Sequence, residues 1–138
     1  MTYDTNNIFA KILRGEIPCH KIYEDEHTLA FMDVMPQVDG HCLVVPKAPS
    51  RGLLDADLKV LLHLLQTTQK VAAAAVKAMG ADGFQIRQFN EAAGGQTVFH
   101  LHFHVMPMKE GGVTKPHSNQ MADHALLAEQ AKRIRALL

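Results

Sequence analysis

Six residues in the second half of the chain alternate between imidazole and apolar side chains, and a methionine follows them, in the order His100-Leu101-His102-Phe103-His104-Val105-Met106. Strict alternation predicts a β-strand, in which residues two apart point to the same face and lie about 6.6 Å apart. One face of this strand would be apolar and pack against a core, while the other would carry three imidazoles in a row. The segment therefore predicts a sheet with one chemically active face.

A buried row of unpaired imidazoles would cost about 1 to 3 kcal/mol per unsatisfied group, so the row needs a ligand or fixed partners. A metal ion is the weaker candidate, because His100 and His104 would lie about 13 Å apart on an extended strand and no clear carboxylate or cysteine accompanies them. We predict no metal and no cofactor. Nucleophilic catalysis at phosphorus needs one ring nitrogen free and the other held as a donor. His102 is best placed for that role, and His41 would add a donor from another strand.

The segment before the histidines, residues 90–96, is predicted to be a loop that contains Gly94 and Gly95. Glycines let backbone amides approach an anion without side-chain obstruction. A plain hairpin turn explains the same residues. The sequence has neither a GxxxxGK[ST] nor a GxGxxG motif, so it gives no support for a P-loop nucleoside triphosphatase or for dinucleotide binding.

Hydrophobic periodicity along the chain predicts an α+β fold with a five-stranded antiparallel sheet. The strands are expected over residues 20–24, 28–34, 41–45, 83–89 and 97–106. A short N-terminal helix should start at Asn6 or Asn7 and stop at Gly15. A C-terminal helix should run from Ser118 or Asn119 to about Leu137.

A long covering helix is predicted between the third and fourth strands, capped by Asp55 and ended by Gly80. Its apolar residues share one broad face, which we expect to pack on the sheet. That face consists of Leu58, Leu61, Leu62, Leu65, Val71, Ala72 and Ala75.

Composition limits the partners of the chain. Its 138 residues are 47% hydrophobic and 20% charged, which suits one compact soluble domain. Lys and Arg total 14, and Asp and Glu total 14, so no basic field predicts binding to nucleic acid or to a membrane surface. Cys19 and Cys42 have no CxxC spacing and are expected to be buried thiols. With no leader or membrane-spanning pattern in the sequence, we expect a cytoplasmic protein.

Six segments in this order carry a family resemblance: Asn7-Ile8-Phe9-Ala10-Lys11-Ile12, Glu16-Ile17-Pro18, Phe31-Met32-Asp33, Gly40-His41-Cys42-Leu43-Val44-Val45-Pro46-Lys47, Asn90 with Gly94-Gly95-Gln96-Thr97, and the histidine segment. The chain resembles the histidine triad (HIT) superfamily, and within it the Hint-like branch. The match covers about residues 7–108. We expect a single HIT domain over residues 1–138, with an extension over about 109–138.

This resemblance implies a homodimer that binds purine nucleotides and cleaves substituents from the α-phosphate, typically at the P–N bond of a nucleoside phosphoramidate. It implies that His102 attacks the α-phosphorus and forms a nucleotidyl-histidine intermediate. His104 and His41 would contact the phosphate or assist proton transfer. His100 would support the tautomer of the nucleophile, and the hydroxyl of Thr97 would donate to the leaving group.

The resemblance also assigns nucleotide-binding residues. Asp33 would hydrogen-bond the ribose hydroxyls, although a solvated carboxylate at a strand end is the alternative. Phe9, Ile12, Phe31 and Val34 would line the purine pocket, although plain core packing is the alternative for them. The phosphate loop would be shaped by Asn90, Gly95 and Gln96. Some bacterial relatives hold structural zinc with a CxxC near the N-terminal helix, and this chain has Asn7-Ile8-Phe9-Ala10 there instead.

Two other functions are compatible with the sequence. The same nucleophile would serve a dinucleoside polyphosphate hydrolase. The extension after Met108 would instead suit a nucleotide-binding interaction protein in which catalysis is incidental.

Overall fold

The centre of the molecule is an antiparallel sheet of five strands, seen in a computed structural model that describes residues 2–115 and 121–138. The strands are β1 (Lys21–Glu24), β2 (Thr28–Met32), β3 (Cys42–Pro46), β4 (Gly83–Arg87) and β5 (Phe103–Met108). They lie in the order β1-β2-β3-β5-β4, and each pairs antiparallel with its neighbours. The predicted fold class is confirmed.

Three helices accompany the sheet: α1 (Ile8–Leu13), α2 (Leu58–Met79) and α3 (His124–Arg135). The side chain of Asn7 caps α1 by accepting a hydrogen bond from the backbone N–H of Ala10, at 2.9 Å. Asp123 caps α3 by accepting from Ala125. The predicted start of that helix at Ser118 or Asn119 lies outside the described residues, and residues 121–123 are not helical.

The long helix begins later than the sequence suggested. Asp57, not Asp55, is the N-cap residue of α2. The carboxylate of Asp55 accepts from the backbone N–H groups of Arg51 and Gly52, both at 2.8 Å, so it closes the preceding turn. Gly80 ends the helix as predicted, in the left-handed conformation with φ of 62°, which glycine adopts at little cost.

The predicted apolar face of α2 is only partly buried. Val71, Ala72 and Ala75 lie in the core, whereas Leu62 is 60% exposed and Leu65 is 58% exposed. Two further apolar side chains stand exposed on the neighbouring edge strand β4, namely Phe84 at 51% and Ile86 at 42%. We call these four residues (Leu62, Leu65, Phe84 and Ile86) the α2–β4 surface. They line a shared groove.

The sheet separates two hydrophobic clusters, because alternate residues of a strand point to opposite faces. Ala30, Met32 and Val44 face α2 and α3 in the larger cluster. The smaller cluster lies on the α1 side of the sheet and consists of Phe9, Leu29, Phe31, Leu43 and Val45. β2 and β3 are therefore buried on both faces. No helix in the described part of the chain combines the length and apolar character required to cross a bilayer.

The histidine segment departs from the predicted strand over residues 97–106. β5 begins only at Phe103, and its pairing with β3 stops at the pair Val44 and Phe103. Further along β3 stands Pro46, which has no N–H to donate to a partner strand. The N–H of Leu101 donates to the carbonyl of Ser50 at 2.8 Å instead. The three imidazoles are consequently not one straight row, and each is fixed by its own partners.

Candidate active site

Two cavities meet at the histidines on the α1 side of the sheet. The larger, which we call the apolar cleft, has a volume of about 650 Å³ and is lined chiefly by apolar residues of α1 and β2 and of the segment after β2. The smaller, which we call the polar pocket, measures about 200 Å³ and is lined by Gln37, His41, Arg87, Phe89 and Gly95. Both cavities are also lined by Thr97, His102 and His104. A ligand that reaches from one cavity into the other would pass these three side chains.

One ring nitrogen of His102, Nδ1, is hydrogen-bonded to the backbone, and the other, Nε2, can react with a ligand. Its Nδ1 lies 2.7 Å from the carbonyl oxygen of His100. A carbonyl can only accept, so Nδ1 carries the proton and Nε2 keeps its lone pair. Burial lowers the pKa of His102, although the bond to the carbonyl and the carboxylate of Asp33 oppose that shift. The ring is 5% exposed and packs edge-on against Phe9, with ring centroids 4.9 Å apart. His102 therefore has the tautomer of a nucleophile.

His100 lies behind this nucleophile and is fully buried. Its Nε2 is 2.8 Å from the carbonyl oxygen of Pro46, and its Nδ1 is 2.5 Å from the hydroxyl of Tyr3. The carbonyl accepts from Nε2, so Nδ1 accepts from the tyrosine. Burial lowers the pKa of His100 to about 4, which keeps the ring neutral near pH 7. His100 thus acts on His102 through its backbone carbonyl, and Tyr3, which the sequence analysis missed, completes its bonding.

His104 is oriented by His41, the residue that directly precedes β3. The Nδ1 of His41 accepts from the backbone N–H of Gln37 at 3.0 Å, so the proton of neutral His41 sits on Nε2. That atom is 2.9 Å from Nδ1 of His104 and 3.4 Å from the carboxylate of Asp33. His104 then carries its own proton on Nε2. Burial, with the neighbouring His102 and His41, lowers the pKa of His104 to about 3, so it meets an incoming anion as a neutral donor.

The same side chains form a group that resembles a metal site. Ligand atoms of Asp33, His41 and His104 all lie within 4.8 Å of one another. To bind a metal through Nε2, His41 would have to lose the proton on that atom or the bond from Gln37. The donor set is therefore better suited to hydrogen bonding than to holding an ion. The absence of a metal role stays a prediction.

The glycine loop is braced by side chains that were predicted to bind nucleotide. Gln96 is buried; its amide donates to the carbonyls of Arg51 and Val98 at 2.8 and 3.0 Å, and it accepts from Glu91 N–H at 2.8 Å. Asn90 accepts from the backbone N–H of Leu53 at 2.8 Å. Neither side chain occurs among the described residues that line the two cavities. Their contacts shape the loop, which is the role that the resemblance implies for them, and nucleotide binding by either side chain stays a prediction.

Gly95 is the predicted loop residue that does reach the polar pocket. Its φ of 97° lies in the left-handed region, and a Cβ there would come within 3.2 Å of the ring of Phe89. Glu91 also has a positive φ, 63°, which is costly for a residue with a side chain. Its carboxylate is held by Arg51 at 2.7 and 2.9 Å. No local sequence pattern indicates this ion pair, because 40 residues separate its members.

The residues predicted to contact the nucleoside do come together. All five, which are Phe9, Ile12, Phe31, Asp33 and Val34, line the apolar cleft. The lining of the cleft also includes His20, Met121 and His124, for which the sequence analysis predicted no role in a site. His20 and His124 are hydrogen-bonded at 2.9 Å. Their separation of 104 residues leaves no local sequence signal for this contact.

Comparison with known sequences identifies the family. The family model of the HIT domain matches residues 14–111. Adenylylsulfatase HINT3 of Arabidopsis thaliana is 38% identical over 109 residues, which cover 79% of this chain and 55% of that protein. The chain thus spans little more than half the length of that relative. An uncharacterized HIT-like protein of Methanocaldococcus jannaschii is 41% identical over 104 residues, covering 75% of this chain and 80% of that protein.

Solved structures agree with the sequence comparison. A Hit-like protein involved in cell-cycle regulation from Bartonella henselae, solved with an unknown ligand, superposes with a TM-score of 0.93 at 51% identity, covering 99% of this chain and 100% of that chain. A zinc-bound histidine triad family protein from Mycobacterium smegmatis gives a TM-score of 0.84 at 32% identity, covering 96% and 93% of the two chains. Sequence motif, family match and fold coincide, and the chain belongs to the HIT superfamily, in its Hint-like branch.

Proposed function

We propose that this chain is a nucleotide hydrolase that cleaves the P–N bond of purine nucleoside 5′-phosphoramidates through a nucleotidyl intermediate on His102. The observation that carries the proposal is the tautomer of His102, whose Nδ1 is committed to the carbonyl of His100. Its Nε2 is thereby left with a lone pair at the junction of the two cavities. The nucleoside would occupy the apolar cleft, and the α-phosphate would lie beside His102 and His104.

The reaction has two displacements at phosphorus. In the first, Nε2 of His102 bonds to the α-phosphorus and the P–N bond breaks, so the amine leaves with the bonding electrons and takes one proton, relayed from water through the hydroxyl of Thr97. In the second, a water oxygen bonds to phosphorus and the bond to Nε2 breaks. The water gives up one proton to solvent, the products are a nucleoside monophosphate and an amine, and His102 returns to its neutral form. Splitting one hard displacement in this way is the benefit of covalent catalysis.

Surrounding groups stabilise the charge that develops. During attack the ring of His102 becomes positive while its Nδ1–H still donates to the carbonyl of His100, and that bond strengthens as the charge grows. Nε2–H of His104 can donate to a phosphate oxygen in the same step. The low pKa values of His100 and His104 mean that proton delivery at neutral pH starts from neutral groups, so a standing imidazolium is not the acid.

The test combines product release with detection of the intermediate. The chain is mixed with adenosine 5′-phosphoramidate, released AMP is measured by chromatography, and the intact protein is weighed by mass spectrometry under non-acidic conditions. We expect AMP release and an adenylyl adduct, and a loss on the order of 10³-fold or more in kcat for His102→Ala. His63→Ala, a histidine on α2 away from both cavities, is the matched control. Equal activity of the unaltered chain and His102→Ala would refute the proposal.

A second candidate is hydrolysis at a P–O bond of a nucleotide anhydride. The name of the plant relative, an adenylylsulfatase, favours it, and a dinucleoside polyphosphate would be attacked by the same nucleophile. A panel of adenosine 5′-phosphoramidate, adenylyl sulfate and diadenosine tetraphosphate separates the three activities. The highest kcat/KM identifies the substrate class. A role as a nucleotide-binding interaction protein is indicated if all three compounds bind and none is cleaved.

We propose also that the chain forms a homodimer through the α2–β4 surface. Four apolar side chains there are between 42% and 60% exposed, and β4 is an edge strand with unpaired backbone groups. A second copy of the chain would cover the apolar side chains and protect the edge. Light scattering after size-exclusion chromatography should give twice the chain mass of 15.3 kDa. Phe84→Glu should reduce the measured mass to that of one chain. Leu54→Glu, at an exposed leucine outside the α2–β4 surface, should leave the mass unchanged.

We further propose that the chain works in the cytoplasm as a single HIT domain. Cys19 and Cys42 are both free thiols, and free thiols persist in reducing compartments. Cell fractionation with detection of the chain by antibody tests the location. Recovery in the membrane or secreted fraction would contradict it.

A further inference from the structure

The polar pocket contains a charged residue that the proposed reaction does not use. Arg87 is the last residue of β4 and lies opposite His104 in the β4–β5 ladder. Directly paired residues of neighbouring strands project from the same face of a sheet, and both side chains line the polar pocket. The guanidinium therefore stands beside the position where the α-phosphate would be attacked.

Neutral groups hold this guanidinium in place. Its Nε and Nη2 donate to the amide oxygen of Gln85 at 3.1 and 2.7 Å, and Nη1 donates to the amide oxygen of Gln37 at 3.2 Å. Within residues 2–115 and 121–138, no carboxylate forms an ion pair with Arg87. An arginine has five N–H donors, so two remain for a ligand. The fixed fork suits an oxyanion, which it can bind with two parallel bonds.

The two cavities give a substrate a direction. The apolar cleft accepts an apolar, flat group such as a purine, and the nucleophile lies at the junction of the cavities. A group on the far side of the phosphorus would then enter the polar pocket, where it meets Gln37 and Arg87. Asp33, the carboxylate of the site, lines the cleft and not the pocket. The leaving group thus faces a positive charge, whereas the nucleoside side faces a negative one.

We propose that the polar pocket is a leaving-group subsite for substituents that carry an anionic group, a carboxylate, sulfate or phosphate, and that Arg87 recognises this group. The inference rests on the proposed function and names the substrate class of the same site. Nucleotides with a negatively charged leaving group are then preferred over those with a neutral one. Arg87 is a specificity residue and takes no part in bond breaking.

The experiment uses two substrates that differ by one charge, the adenosine 5′-phosphoramidates of alanine and of alaninamide. Each is assayed with the unaltered chain, Arg87→Gln, Arg87→Lys and Lys59→Gln, where the last removes an exposed positive charge on α2. We expect Arg87→Gln to lower kcat/KM about 10- to 100-fold for the alanine compound, the effect of one hydrogen bond to a charged group. The value for the alaninamide compound should change less than twofold. Arg87→Lys should recover part of the loss, and Lys59→Gln should change neither value.

A binding arm separates this inference from the proposed function. In a His102→Ala background neither compound is cleaved by that nucleophile, and their Kd values are measured by calorimetry. The subsite predicts tighter binding of the alanine compound, with the preference removed by adding Arg87→Gln. Equal loss for both compounds, or no loss for either, would overturn the subsite. If the unaltered chain cleaves neither compound but keeps the binding preference, the subsite stands and the phosphoramidase proposal fails.

Discussion

The apolar cleft and the polar pocket share three residues but are held in place by different forces. The cleft is walled by Phe9 and Phe31, which also form the hydrophobic cluster under α1. The pocket is walled by His41, His104 and Arg87, whose positions depend on hydrogen bonds to Gln37 or to each other. Substitution in the cleft should therefore cost stability and nucleoside affinity together. Substitution in the pocket should alter protonation and leaving-group choice with less effect on folding.

The largest effect is expected from Phe9→Ala, which breaks the cleft. Phe9 is 7% exposed and its ring packs on Phe31 and His102, at centroid distances of 5.4 and 4.9 Å. Truncating a buried phenylalanine removes apolar contacts and leaves a cavity, which costs about 3 to 5 kcal/mol. Urea denaturation should show that loss in the free energy of unfolding, and the KM for the nucleotide should rise.

The matched control is Phe84→Ala on the exposed edge strand, which should cost far less in the chain taken as a monomer. Because a dimer would bury Phe84, both variants are compared at concentrations where light scattering gives one chain mass. A higher KM for Phe9→Ala with an unchanged free energy of unfolding would show that the cleft wall is not part of the core. That result would contradict the expectation that substitution in the cleft costs stability and nucleoside affinity together.

The contrast between the two cavities also explains how much the sequence could predict. Phe9, Ile12, Phe31 and Val34 were assigned to the nucleoside side, and the structure brings them together in the cleft. The family resemblance assigned these residues to the nucleoside, whereas the apolar pattern alone indicates only that they are buried, since a hydrophobic wall and a core need the same side chains on the same face. The order of elements and the antiparallel sheet followed from the same periodicity.

The polar side was predicted less completely because its geometry depends on distant partners. The alternation of the histidine segment indicated a strand from residue 97. β5 starts only at Phe103, and the β3 residue without an N–H for the ladder, Pro46, lies 57 positions before Phe103. Tyr3 bonds His100 across 97 residues, and Gln37 bonds Arg87 across 50. Asn90 and Gln96 shape the loop through bonds to Leu53 and Arg51, which lie 37 and 45 residues away. The residue types indicated the chemistry, but the tautomers of the histidines could be assigned only from the hydrogen bonds in the structure.

Acid should lower the free energy of unfolding through the buried histidines of the polar side. The folded-state pKa of His100 is about 4, against an ordinary value of 6.5. As the pH falls below 6.5, the imidazole binds a proton in the unfolded chain but stays neutral in the folded chain. The free energy of unfolding is therefore unaffected by this group above pH 6.5 and decreases between pH 6.5 and 4. The loss is up to about 1.4 kcal/mol per pH unit for each such histidine.

Denaturation at pH 7.0 and 5.5 measures this slope. His100→Asn should make it shallower, because the buried titrating group is gone, even if its stability at pH 7.0 is lower. Leu54→Ala, which changes an exposed leucine and no titratable group, should leave the slope unchanged. An equal slope in the unaltered chain and in His100→Asn would mean that His100 does not resist protonation, and the account of a neutral histidine row would be wrong.

The smallest effect is expected from Tyr3→Phe, which tests whether the hydrogen bond from the Tyr3 hydroxyl helps to hold His100. The variant keeps the ring, whose centroid lies 5.6 Å from that of His100, and removes only the hydroxyl that donates to Nδ1. Loss of one such bond costs about 1 kcal/mol, whereas Tyr23→Phe, on the other tyrosine of the chain, should cost less because its partner Asp25 keeps three other donors. The ¹⁵N chemical shift of His100 Nδ1 should move in Tyr3→Phe alone, with kcat changed less than about threefold. If the ¹⁵N shift does not change, the tyrosine is only a packing residue, and the carbonyl of Pro46 is the hydrogen-bond partner that holds the His100 ring.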